Sequence, residues 1–176
     1  RTIIEEAAAA DAAIGSDSQK VGDFYQSFMN DNLIESLGSN PLAGSLADIA
    51  AVDDKATMIQ VMSALNYIGV QMPFNFYIDV DERQTDQYVP NVFQSGLGLP
   101  DRDWYLQSDN DTYQTARQAY SSYISTVMSQ AGFSNGEDIA DAVLQIENRL
   151  AQAHWDRVRN RQRELTYNKL SLEELQ

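Results

Sequence analysis

The sequence contains no cysteine. That absence removes disulfides, thiolate metal sites and cysteine nucleophiles together. It contains a single histidine, His154, in 176 residues. A Ser-His-Asp arrangement would have to be built around that residue, and nothing near it resembles a GxSxG elbow. An HExxH zinc helix needs two histidines and cannot be assembled from this chain. No apolar run approaches the ~18 residues that would cross a bilayer, and no signal-peptide pattern is present, so no membrane span is expected here. Basic residues are scarce: 12 Lys and Arg stand against 26 Asp and Glu, for a formal charge of −14. Such a chain repels nucleic acid and anionic lipid, which excludes non-specific binding to either. Internal repeats and flexible linkers are also missing.

What is present is helical. Hydrophobic residues make up 43 % of the chain, enough for a real core. Ser16 with Gln19, Ser134 with Glu137 and Ser171 with Glu174 have capping-box spacing. Val21, Phe24, Tyr25, Phe28 and Met29 form one apolar stripe; Met58, Val61, Met62, Leu65 and Ile68 form another. Between them, Gly38 suits a helix end and Pro41 the first turn of the next helix, and Asp53 is the expected N-cap of the helix that stops at Gly69. Tyr113, Ala116, Tyr120, Tyr123, Ile124 and Val127 mark a later helix that ends at Gly132. The longest helix is expected to begin near Asn135 and run about 20–25 residues, carrying Ile139, Val143, Ile146, Leu150 and His154 on or near one stripe.

One stretch changes period. Phe74, Phe76, Ile78 and Val80 alternate with Asn75, Asp79 and Asp81, the pattern of a half-buried strand. A polar turn follows, and residues 87–94 return as a second strand, which Pro90 makes an edge or bulged strand. The expected fold is therefore mainly α, with one β-hairpin over about residues 74–94, and the expected organisation is one compact helical domain over 1–176. The chain starts within an amphipathic pattern and its last residues open a new helix, so a fragment of a longer chain is expected.

The stretch QSGLGLPDRDWYL, residues 94–106, is the densest in unusual residues. It lacks the Lys-Ser/Thr of a Walker loop and the third glycine of a dinucleotide fingerprint. Its glycines and Pro100 instead suit a bend, pinned by Leu97 and Leu99, with Asp101 or Asp103 capping a short helix. The acidic clusters at 79–82 and 109–112 do not fit a calcium loop and read as a hairpin turn and an N-cap. The run RVRNRQRE, with Arg157, Arg159, Arg161 and Arg163, reads as the basic C-terminal end of the longest helix, suited to its macrodipole, or as a partner for acids elsewhere in the domain. His154 reads as a packed helical histidine. No residue is assigned a catalytic, cofactor-binding or metal-binding role.

Three blocks together resemble one family. QSGLGLPDRDWYL is similar to the Gly-Leu-x-Leu-Pro-x-Arg-Asp-Tyr-Tyr stretch of the neprilysin and endothelin-converting-enzyme zinc metallopeptidases. QKVGDFYQSFMNDNLIESLGSNPL (19–42) and IENRLAQAHWDRVRNR…TYNKLSLEELQ (146–176) resemble two further segments of that family, in its order and at about its spacing. The resemblance implies part of an N-terminal helical lobe that covers an active-site chamber and restricts access to peptides. It also implies zinc in the parent enzyme but none in this chain, a C-terminal catalytic zinc domain and peptide substrates as partners, and a periplasmic or extracellular setting. Phe28 stands where many animal members have a cysteine, which suggests a bacterial-type member. Trp104 replaces the usual tyrosine, and the Arg-Asp-Pro that often precedes Tyr-Asn-Lys is missing. The alternative is a stand-alone α-helical interaction module. A lobe that closes on a catalytic domain should also expose an apolar patch.

Overall fold

The computed structural model describes residues 2–175. Its contacts divide the chain into two units, residues 1–51 and 52–176. The fold is mainly α with one hairpin.

The first unit holds α1 (Thr2–Ala9), α2 (Asp17–Phe28), α3 (Asp31–Leu37), a 3-10 turn (Asn40–Leu42) and α4 (Ala43–Ala50). The Ser16 side chain caps α2 by accepting the Gln19 amide at 3.2 Å. The Gln19 side chain closes on Gly15 rather than on Ser16. Asn30 caps α3 in the same way, and Gly38 ends it at φ +51°. Pro41 sits in the separate 3-10 turn that precedes α4, not in the first turn of that helix. The apolar stripe of α2 is largely exposed, with Phe24 and Phe28 more than two-thirds open.

The second unit begins with α5 (Lys55–Tyr67). Its N-cap is Asp54 and not Asp53. Thr57 lies three residues after Asp54, so the Asp54 carboxylate takes the Thr57 amide at 2.8 Å and the Thr57 hydroxyl takes the Asp54 amide at 3.1 Å. β1 (Phe74–Val80) then pairs antiparallel with β2 (Tyr88–Gln94), Ile78 opposite Pro90. The alternation is as the sequence predicts, but the apolar face is not buried within this unit: of its four residues only Val80 is half-buried. Phe74, Phe76 and Ile78 are 52, 59 and 70 % exposed. On the other face Asn75 is half-buried, its amide accepting from Asn66 at 2.8 Å and donating to Ser95, while Tyr77 and Asp79 are exposed.

The core of this unit lies among α6 (Asp103–Leu106), α7 (Asp111–Gln130) and α8 (Gly136–Ala153), where Tyr105, Ile124, Ala140 and Ala151 are buried. Tyr123 and Val127, expected on the buried stripe of α7, are exposed. The buried face of α8 is Gly136, Ala140, Glu147 and Ala151, so the predicted stripe is rotated, and Ile146 is 58 % exposed. Its N-cap is Asn135, without a side-chain cap, rather than Ser134. The start is set by packing: buried Gly136 lies against Ser125 of α7.

α8 is also shorter than expected, at 18 residues. No glycine or proline stops it. The Gln94 side chain takes the Trp155 amide at 2.9 Å and donates to the Trp155 carbonyl at 3.0 Å. Those backbone groups would otherwise have continued the helix, so a tertiary contact ends it at His154, whose backbone is extended at φ −67°, ψ 143°. The arginines therefore lie beyond the helix, Arg157 in a turn and the others in a 3-10 turn (Arg159–Arg161) and the short α9 (Arg163–Thr166), and the macrodipole reading does not hold.

Candidate functional site

Two carboxylates organise the second unit. Glu147 projects from the middle of the buried face of α8 and is only 9 % exposed. One of its oxygens accepts the Tyr105 hydroxyl at 2.7 Å. The other accepts the Tyr120 hydroxyl at 3.0 Å and the Gly98 amide at 3.2 Å. The Leu99 amide donates to the Tyr105 hydroxyl at 2.8 Å, so α6, α7, α8 and the bend at 96–100 meet on one carboxylate. Burial raises the Tyr105 phenol above its ordinary 10.0, and the adjacent Glu147 adds to the shift. The same two causes push Tyr120 up to about 12. Both phenols are thus fixed as neutral donors.

The bend itself is built as the sequence predicts. Gly96 has φ +86°, and a Cβ there would stand 2.8 Å from the Pro73 Cα. At Gly98 a Cβ would fall 1.9 Å from the Tyr120 hydroxyl, so a side chain would displace the bond to Glu147. The Asp101 carboxylate accepts the Asp103 amide at 2.8 Å and opens α6. The Arg102 guanidinium donates to the Ala151 carbonyl at 3.2 Å near the end of α8.

The second carboxylate is Asp81, at the end of β1 and 1 % exposed. It accepts the amides of Arg83 and Gln84, the Tyr167 hydroxyl at 3.0 Å and the Lys169 ammonium at 2.7 Å. The lysine, then the Arg83 amide, hold its acidity well below the usual carboxylate range. The reading of 79–82 as a hairpin turn is therefore right, with Asp81 as its anchor. The Tyr167-Asn168-Lys169 stretch supplies the clamp, and Arg83 lies over the Tyr167 ring at 4.1 Å. The cluster at 109–112 holds the N-cap of α7, where the Asn110 side chain accepts the Tyr113 amide at 3.2 Å.

Between these two centres runs an open groove of about 1520 Å³. β2 and the bend at 95–103 line it together with Tyr77, Asp81, Glu82 and residues between 154 and 175. His154 is half-buried there. Desolvation lowers its pKa from 6.5, Arg102 adds to that, and the bond with the Ser95 backbone opposes it. Arg157 pairs with Asp101, and Arg159 stacks on Trp155 at 3.8 Å. One arginine of the run at 157–164 thus partners an acid of the same unit. Among the described residues no group of three or more His, Cys, Asp or Glu could hold a metal ion.

Neither carboxylate hub was singled out from the sequence as a centre. A signal for Glu147 exists: it is the one acid among the small and apolar residues of the stripe Ala140, Leu144, Glu147, Ala151. Asp81 gave no such signal, because its side-chain partners Tyr167 and Lys169 lie 86 and 88 residues away.

The model of peptidase family M13 matches residues 1–176. The chain belongs to peptidase family M13. It corresponds to the N-terminal region of this neprilysin-type family of zinc metallopeptidases. It is 29 % identical to human endothelin-converting enzyme 1, over 94 % of this chain and 22 % of that protein. It is 28 % identical to human endothelin-converting enzyme-like 1, over 92 % of this chain and 23 % of that one. The Mycobacterium tuberculosis zinc metalloprotease Zmp1, solved with an inhibitor, superposes with TM-score 0.84 at 32 % identity, over 96 % of this chain and 26 % of that one. Zmp1 in its open state gives the same TM-score at 31 % identity. The M13 chain spans about a quarter of the length of these relatives. None of its described helices is long and apolar enough to cross a membrane.

Proposed function

We propose that residues 1–176 are a non-catalytic part of the N-terminal lobe of a zinc metalloendopeptidase, acting as one domain that covers the active-site chamber and admits peptides rather than folded proteins. One observation carries the reading: a chain with a single histidine matches an M13 model along its full length. The HExxH zinc helix and its catalysis therefore belong to a C-terminal domain of the parent chain. The exposed apolar face of the hairpin, with Phe76 and Ile78, supports this by offering a surface that a second domain can bury. Glu147 and Asp81 would hold the lobe's wall in shape rather than react. The family suggests a setting outside the cytoplasm.

The test uses the full open reading frame. An HExxH downstream of Gln176, with chelator-sensitive cleavage of short peptides and no cleavage of folded proteins, is the expected outcome. The 1–176 chain alone should neither cleave peptides nor bind zinc tightly in calorimetry. A stop codon directly after Gln176, or stoichiometric zinc on this chain, would overturn the reading in favour of a stand-alone helical interaction module.

A further inference from the structure

The groove beside β2 has two features that its structural role does not use. The first is a free strand edge. The Asp81 amide donates to the Gln87 carbonyl at 2.9 Å, and the Ser95 amide to the Pro73 carbonyl at 3.0 Å. In this register the odd-numbered residues are the hydrogen-bonded pairs. The backbone groups of Tyr88, Pro90, Val92 and Gln94 therefore point away from β1. Of the hairpin's two edges the groove follows this one: residues 89–94 line it in sequence. Pro90 has no N–H, so at this outward position it leaves the β1 ladder intact and offers only its carbonyl; the outward donors are those of Tyr88, Val92 and Gln94.

The second feature is charge. The chain carries 26 acids and 12 bases, yet the groove is lined by five bases and four acids. Three of those acids are already engaged, Asp81 with Lys169, Asp101 with Arg157 and Asp103 with Arg102. Arg161 and Arg163 also line the groove and are in no ion pair among the described residues. Screening over a Debye length of ~8 Å limits the influence of acids farther away on them.

We propose that this groove is a peptide subsite: an extended acidic segment pairs with the outer edge of β2 and sets its carboxylates against Arg161 and Arg163. Strand addition supplies affinity that does not depend on side chains, and the two guanidiniums supply the preference for Asp and Glu. This inference rests on the reading of the parent as a peptidase and names a class of substrate for it.

The experiment uses the full-length parent enzyme and two matched peptides that differ only by Glu against Gln at positions flanking the scissile bond. The acidic peptide should show the lower KM, and raising the salt should erase the difference. The double variant Arg161→Gln/Arg163→Gln should raise KM for the acidic peptide about fivefold, the scale of two exposed charge contacts, with the effect in KM rather than kcat. Fluorescence anisotropy with the same labelled peptides reads the groove even if no hydrolysis occurs, so failure of the peptidase reading is seen separately. A peptide methylated on alternate backbone nitrogens should bind more weakly. Equal affinity for both peptides in the unsubstituted enzyme overturns the proposal. So does a double variant that melts earlier with unchanged peptide affinity, which would mean that a segment of the parent chain fills the groove.

Discussion

The Glu147 carboxylate accepts the Tyr105 hydroxyl at 2.7 Å across 42 residues of sequence. With Tyr120 and the Gly98 amide on its other oxygen, this contact joins three helices and the bend at 96–100 to one buried carboxylate. Glu147→Ala strips two phenols and an amide of their acceptor. Hydrogen bonds to a charged group contribute about 1.5–3 kcal/mol each, and the loss is not additive. A destabilisation of about 3 kcal/mol is expected, with Glu147→Gln milder because it keeps one acceptor. Thermal and urea unfolding measure it; an unchanged midpoint for Glu147→Ala would remove the hub from the account.

Gly98→Ala should also lower the melting temperature, because its methyl group would occupy the site of the Tyr120 hydroxyl. Gly96→Val combines a positive φ with contact against Pro73, and a loss of about 2 kcal/mol or more is expected. Pro100→Leu lies at an exposed position, and only its loss of backbone restriction applies, under about 1 kcal/mol. Differential scanning fluorimetry of the three variants should rank them with Pro100→Leu least affected.

Asp81 and Lys169 set a pH window for the hairpin turn. The pKa of Asp81 is held below its ordinary 3.8, so its contribution is present above that value and is lost as the pH falls through the lower, folded value. Lys169 is raised above its ordinary 10.5, chiefly by its bond to Asp81, so its share is lost only as the pH rises past the folded value. Limited proteolysis should find the 82–87 turn resistant between these limits and more open on either side of them. Asp81→Asn should be cleaved at neutral pH and show no further acid response.

His154 is the sole histidine, so its NMR titration can be read without assignment. Burial lowers its pKa, and a midpoint below 6.5 is expected. The imidazole is then neutral at pH 7. Because the unfolded chain takes up the proton first, the stability from the neutral form is present above 6.5 and is lost as the pH falls through the folded value. A midpoint at or above 6.5 would contradict the burial of the ring at the end of α8.

The local signals were legible because they act over a few residues. Ser16 capped α2, Gly38 ended α3, and the alternation at 74–80 became a strand. The shift from Asp53 to Asp54 shows the resolution of such signals, since one downstream threonine decided between adjacent acids. The end of α8 was not legible. Nothing within residues 150–160 stops a helix; Gln94, some 61 residues earlier, does so by capturing the Trp155 backbone.

By itself the sequence determined the chain's chemistry and kinship: no thiols, one imidazole, an acidic surface, a helical fold with one hairpin, and three ordered blocks shared with a metallopeptidase family. Those properties are fixed by composition or by contacts within one or two turns of chain. Only the tertiary structure decided that the apolar face of the hairpin stays largely exposed, which of 26 acids are held as anchors, and where the arginines stand. Each depends on groups far apart in sequence. A carboxylate such as Asp81 or Glu147 can be buried only where folding brings it enough donors to replace water.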